Sequence, residues 1–151
     1  MEEVTQVSAT APANAREALD MVRTGLGYLA AAEVAQLPSA TQAECLRELE
    51  RDAAGLTAAR AWILASFTAG QGYADDADYS AVSWLIHRTG ITRGAAVGQT
   101  AWDRRTGTHP RVVAALAAGQ VSEPVGRLMC LRTGKLPEKY RDDADEVLGA
   151  C

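Results

Sequence analysis

Aromatic residues are scarce in this 151-residue chain: one Phe, three Trp and four Tyr. A core short of rings has to be assembled from small and aliphatic side chains, and 30 alanines supply many of them. Histidine is nearly absent. His87 and His109 stand 22 residues apart with no cysteine knuckle between them, which excludes a His-metal nuclease site. Both read as structural or surface residues. No Ser-His-Asp arrangement, phosphate loop or dinucleotide fingerprint occurs, so no catalytic residue is assigned. Cys45, Cys130 and Cys151 are odd in number, with no C-x-x-C spacing. They read as free thiols of a reducing compartment, the first two buried and the terminal one exposed. No apolar run reaches the ~20 residues that span a bilayer. The leader MEEVTQVSATAPA begins acidic and has no apolar centre, so it does not resemble a secretory signal. The expectation is a cytoplasmic protein with no membrane partner, no metal and no cofactor.

What is present suits helices. Hydrophobic residues make up 48% and charged residues 23%, the balance of a globular chain. Alanine, leucine and arginine are good helix formers. The predicted class is all-α: a long antiparallel helix pair plus a cluster of short helices that includes a helix-turn-helix-like hairpin. Residues 1–12 are expected to be a disordered leader and 13–151 a single helical domain. Asn14 with Glu17 has capping-box spacing and opens a helix striped by Leu19, Val22, Leu26, Leu29 and Leu37. Leu37-Pro38-Ser39 breaks and restarts the chain, with Ser39 and Gln42 as a second box. The helix over 40–69 carries Leu46, Leu49, Ala53, Leu56, Ile63 and Phe67 in alternating three- and four-residue steps, with Arg60 in the one gap. That is a heptad-like seam. Packing against the first helix is its first use, completing a pair over 14–69. Self-association through Leu46, Leu49, Leu56, Ile63 and Phe67 is the second.

Gly70-Gln71-Gly72 ends the long helix. The acids Asp75, Asp76 and Asp78 lack the central glycine and distal glutamate of a calcium loop, and read as acids favoured at the next helix start. A short-helix cluster fills 80–133. Gly90 stops a helix at about 80–89, and Thr92 caps another at 93–105. Gly107 breaks that one, and Pro110 begins 110–118. Gly119 stops it, Ser122 caps a helix to about 133, and Gly134 closes it. Pro137 opens an acidic terminal helix at 137–149.

Helix, Gly-Ile-Thr, helix is the layout of a helix-turn-helix, whose second helix enters the DNA major groove. Charge concentrates here. Residues 1–87 are net −7, residues 88–135 net +6 and residues 136–151 net −3. A basic block of this size can neutralise several phosphates. The candidate nucleic-acid-binding residues are Arg88, Arg93, Gln99, Arg104, Arg105, Arg111, Arg127 and Arg132, and the candidate partner is DNA. The competing use of these arginines is to pair with the acidic part of the chain.

The run Ser80-Ala81-Val82-Ser83-Trp84-Leu85-Ile86, then Arg88-Thr89-Gly90-Ile91-Thr92-Arg93, Ala96, Pro110, Ala114-Ala115-Leu116, Gly119 and Val121-Ser122 resembles the helical domain of unknown function 222. That domain is also called the 13E12-repeat family and is abundant in actinobacteria. The two long helices before it are similar to that family's, and the resemblance spans about Ala18 to Leu148. It implies an all-helical domain of the kind found N-terminal to an HNH endonuclease module. The cysteine- and histidine-rich nuclease module is absent, so no catalytic residue carries over. Asp103 and Thr106 stand where the family has small or apolar residues. The resemblance implies a non-catalytic domain of an HNH-endonuclease-type protein that assists DNA binding. The alternative is a protein-interaction or dimerisation module that binds no nucleic acid.

Overall fold

A computed structural model describes residues 10–150. Seven α-helices and two short 3-10 turns form, with no strand among the described residues. The helices are α1 (Ala15–Ala31), α2 (Ser39–Ala69), α3 (Ala81–Thr89), α4 (Arg93–Thr108), α5 (Pro110–Ala117), α6 (Glu123–Thr133) and α7 (Glu138–Gly149). The 3-10 turns lie at Val34–Gln36 and Gly72–Asp76. The expected leader falls mostly on residues outside those described, as does Cys151. The chain divides into two compact units, 1–43 and 44–151.

In the first unit, Asn14 caps α1 by accepting from the Glu17 amide at 3.0 Å, and Glu17 reaches back to the Ala13 amide at 2.7 Å. The stripe of α1 is not buried. Leu19, Val22 and Leu26 are exposed, and α1 has no buried residue. The second capping box does not form either. Gln42 turns back to donate to the Val34 and Leu37 carbonyls at 2.9 and 3.1 Å, because those acceptors at the chain break lie within its reach.

In the second unit, α2 buries a face other than the heptad seam. Ala54, Ala58, Ala61 and Leu64 are its buried residues, whereas Leu46, Leu56 and Ile63 are exposed. The small alanine row allows close approach of several short helices, which bulky leucines would hold off. The main core joins Ala54, Ala58 and Ala61 to Trp102 of α4, Val112, Val113 and Leu116 of α5, Val121, and Met129 and Cys130 of α6. Each fully buried aliphatic side chain here contributes about 1.5–3 kcal/mol of transfer free energy. Gly126 lets α6 cross at close range. A methyl group there would lie 3.3 Å from both Leu116 and Val112 and 3.4 Å from Trp102.

A second cluster holds Leu64, Ala81, Leu85 and Ala96, edged by Phe67, Tyr73, Trp84 and Ile91. Phe67 meets Trp84 with ring centroids 4.7 Å apart, so this one seam residue belongs to the core instead of a free face. The acids before α3 bind side chains more than they cap the helix. Ser80 is the N-cap, accepting from the Ser83 amide at 3.1 Å. Asp76 accepts from the Trp84 indole at 2.7 Å, and Asp78 accepts from the Ser83 hydroxyl at 2.6 Å.

Two helix boundaries differ from expectation. Helix α4 runs through Gly107 to Thr108, and the stop is set by Pro110 instead. A residue before proline is pushed out of the helical region, and His109 takes φ −140°, ψ 57°. Ser122 occupies the N-cap of α6 with extended backbone but makes no side-chain cap.

Candidate nucleic-acid interface

The hairpin predicted from Gly-Ile-Thr is formed by α3, a three-residue turn and α4. Gly90 adopts φ 71°, a left-handed conformation that costs glycine little, and its amide returns to the Ile86 carbonyl at 3.2 Å. Thr92 then caps α4 by accepting from the Ala95 amide at 3.2 Å. Leu85 of α3 and Ala96 of α4 are buried together in the second core cluster. Asp103 and Thr106 are accommodated within this unit. Asp103 accepts from Thr68 of α2 at 3.1 Å, and Thr106 donates to the Asp103 carbonyl at 2.7 Å.

The eight sequence candidates separate into three groups. Arg93, Arg104 and Arg132 are exposed, and their side chains make no ion pair or hydrogen bond among the described residues. Arg93 and Arg104 are 11 residues apart, about three turns, and so share one face of α4 with exposed Val97 between them. Arg88 and Arg111 are held by acids. Arg88 donates to the Asp76 carbonyl at 3.0 Å and lies 3.4 Å from the Asp76 carboxylate and 3.9 Å from that of Asp78; Arg111 pairs with Glu146 of α7. These two fit the competing use as charge partners of the acidic segments.

Gln99, Arg105 and Arg127 converge on a cleft of about 530 Å³ between α2, α4 and α6. Ala53, Ala61, Ala95, Gly98 and Pro124 give it narrow walls, and Trp102 lies beneath. The Arg105 guanidinium sits 4.4 Å from the centre of the Trp102 ring, a cation–π contact that leaves its N–H groups free to donate sideways. Glu123 accepts from the Trp102 indole at 3.1 Å and lies 3.9 Å from Arg127. Sequence reasoning missed Arg60 of α2, which also lines this cleft. Its signal was visible as the one charge interrupting an apolar row. Glu50 brings a second acid to the rim.

The two histidines do not approach this surface chemistry. His87 is exposed and bonds through Nδ1 to Asp78 at 2.8 Å. The Ser83 hydrogen bond, foremost, and His87 hold Asp78 below the usual carboxylate range against the opposing effect of burial. His109 is buried, with Nδ1 2.9 Å from the Thr108 hydroxyl. Burial pushes its pKa below the ordinary 6.5, opposed by the nearby Asp145. Cys130 is likewise buried, and desolvation raises its thiol pKa to about 11. No group of three metal-ligating side chains is placed to hold an ion among the described residues. No described helix is long and apolar enough to cross a membrane.

No family profile, curated protein or solved structure matches the chain.

Proposed function

We propose that this chain is a non-catalytic helical domain that engages DNA through the exposed face of α4 and the adjoining cleft. The observation that carries this reading is the pair Arg93 and Arg104 on one open helix face, neither matched by a carboxylate. Unpaired guanidiniums at this spacing are free to neutralise phosphates, and Gln99 and Arg105, which line the cleft on another side of α4, are donors suited to base edges. Helix α4 follows a glycine turn from α3, as the second helix of a helix-turn-helix does. The resemblance to the 13E12-repeat domain supports placing the chain beside an HNH endonuclease module, as its DNA-engaging front part. The reading implies a cytoplasmic, actinobacterial protein.

Titration of a fluorescent duplex at increasing salt tests the proposal. Affinity should fall linearly on a logarithmic salt scale, and Arg93→Ala and Arg104→Ala should each lower the slope by about 1. Absence of binding at low salt overturns it, as does affinity unchanged in the double variant.

A second reading is an interaction module without nucleic-acid binding. The exposed Leu46, Leu56 and Ile63 of α2 favour it, because apolar side chains in such a row seldom face water unless something covers them.

A further inference from the structure

We infer that two copies of this chain pair antiparallel through α2, about a two-fold axis at Leu56. The inference deepens the interaction reading and rests on it; it does not depend on DNA binding. The row is Cys45, Leu49, Asp52, Leu56, Arg60, Ile63 and Phe67. Its steps are four, three, four, four, three and four residues, alternating as a and d positions do except for the four–four step at Leu56. The order of steps is the same read from either end, with Leu56 at the centre. Leu56 is 51% exposed and Ile63 70% exposed, while Leu49 and Cys45 are half-buried. Phe67, at the end of the row, packs against the second core cluster; the other six belong to neither cluster.

The charges in the row decide the occupant and its direction. Asp52 and Arg60 are both exposed, and neither side chain has an ion pair or hydrogen bond among the described residues. They are eight residues apart on one helix, about 12 Å of rise, too far to pair with each other. In an antiparallel pair centred on Leu56, each Asp52 lies level with Arg60 of the second copy, and each Leu49 lies level with Ile63. Leu56 meets its own equivalent. Both stray charges are then satisfied twice over by one symmetry operation, as a two-fold interface requires. A parallel pair would set Asp52 against Asp52 and Arg60 against Arg60, and like charges so placed repel. An unrelated partner would need an opposite charge pattern of its own; a second copy already has it. The pairing engages Arg60 at the edge of the cleft and leaves Arg105 and Arg127 as the cleft's other basic residues.

Light scattering on the purified chain should return twice the chain mass. Asp52→Arg alone should return a single chain mass, because it sets like charges level across the axis. The double variant Asp52→Arg with Arg60→Asp should restore the dimer. Both positions are exposed, so circular dichroism should be unchanged in each variant. Direction is read by cysteine pairing in a background with Cys45, Cys130 and Cys151 replaced by Ser. Leu49→Cys should cross-link to an Ile63→Cys chain and not to itself, since disulfides need facing Cα atoms within about 7 Å. A monomer at the highest soluble concentration overturns both this inference and the interaction reading by self-association. A dimer that ignores the charge variants, or that cross-links Leu49→Cys to itself, overturns the antiparallel inference alone.

Discussion

The Thr133 hydroxyl meets the Asp145 carboxylate at 2.5 Å, with both residues buried, and this bond fastens the acidic α7 to α6. Asp145 is 2% exposed and lies next to His109 in an otherwise closed seam. Three polar atoms of that seam, His109 Nε2, Arg141 Nε and Asp145 Oδ2, are buried without a hydrogen-bond partner among the described residues. The seam is therefore polar, tight and sensitive to substitution.

Thr133→Val keeps the shape of the side chain and removes the donor. The Asp145 carboxylate then loses its one buried hydrogen bond, at a cost of about 1.5–3 kcal/mol. Urea unfolding should show that loss. Hydrogen exchange should show amides of α7 opening before those of α5. An unchanged midpoint would show that the bond contributes nothing net.

Stability should fall on mild acidification because of His109. Its folded pKa lies below the ordinary 6.5, chiefly through burial. The neutral ring is the form the fold accepts. This contribution is fully present above 6.5 and is lost as pH drops from there through the folded value, since the unfolded chain takes up the proton first. Asp145 and Asp142 oppose the shift, and Arg141 and Arg105 reinforce it. Thermal melts between pH 7.5 and 5 should show a decline that flattens in His109→Gln, after correction for the mutation's own constant cost.

Gly126→Val should destabilise by about 1–3 kcal/mol through overpacking. Leu116, Val112 and Trp102 already stand within 3.4 Å of where the first added carbon would sit. Glycine to valine at an exposed helix position such as Gly94 provides the contrast, because nothing lies within 4 Å of a carbon added there. Equal effects at both positions would argue against a tight crossing of α6.

Cys130 should resist thiol reagents in the native protein. Burial raises its pKa to about 11, so little thiolate exists near neutral pH, and access is closed as well. Half-buried Cys45 should react faster. Mass spectrometry after a timed exposure to iodoacetamide separates the sites. Early alkylation of Cys130 would mean that α6 opens readily.

Much of the helix layout was legible before any coordinates, because caps and breakers act over three or four residues. Asn14, Gly90, Thr92, Pro110 and Gly119 mark boundaries by local hydrogen bonding and backbone preference alone. Errors came where two local signals competed. Gly107 lost to Pro110 because glycine merely weakens a helix, whereas proline excludes the helical conformation from the residue before it. Gln42 abandoned its capping box because better-placed carbonyls lay at the Leu37 break.

The α2 face shows what a pattern cannot decide. Leucines in heptad spacing outrank alanines on any hydrophobic scale, yet Ala54, Ala58 and Ala61, with Leu64, are the residues buried. Short helices crossing a long one need close approach, and only small side chains allow it. Likewise, the basic block was countable from composition, but its division was not. Arg88 and Arg111 meet acids distant in the chain, Arg105 and Arg127 face a cleft with Arg60, and Arg93 and Arg104 stay open. By itself, then, the sequence determined an all-helical chain, its capped boundaries and the place where positive charge gathers, since each follows from near neighbours. Only the tertiary structure decided which helix faces are covered and which arginines remain unpaired. Those outcomes depend on groups that meet across tens of residues, where competition for burial and for charge partners is settled by geometry.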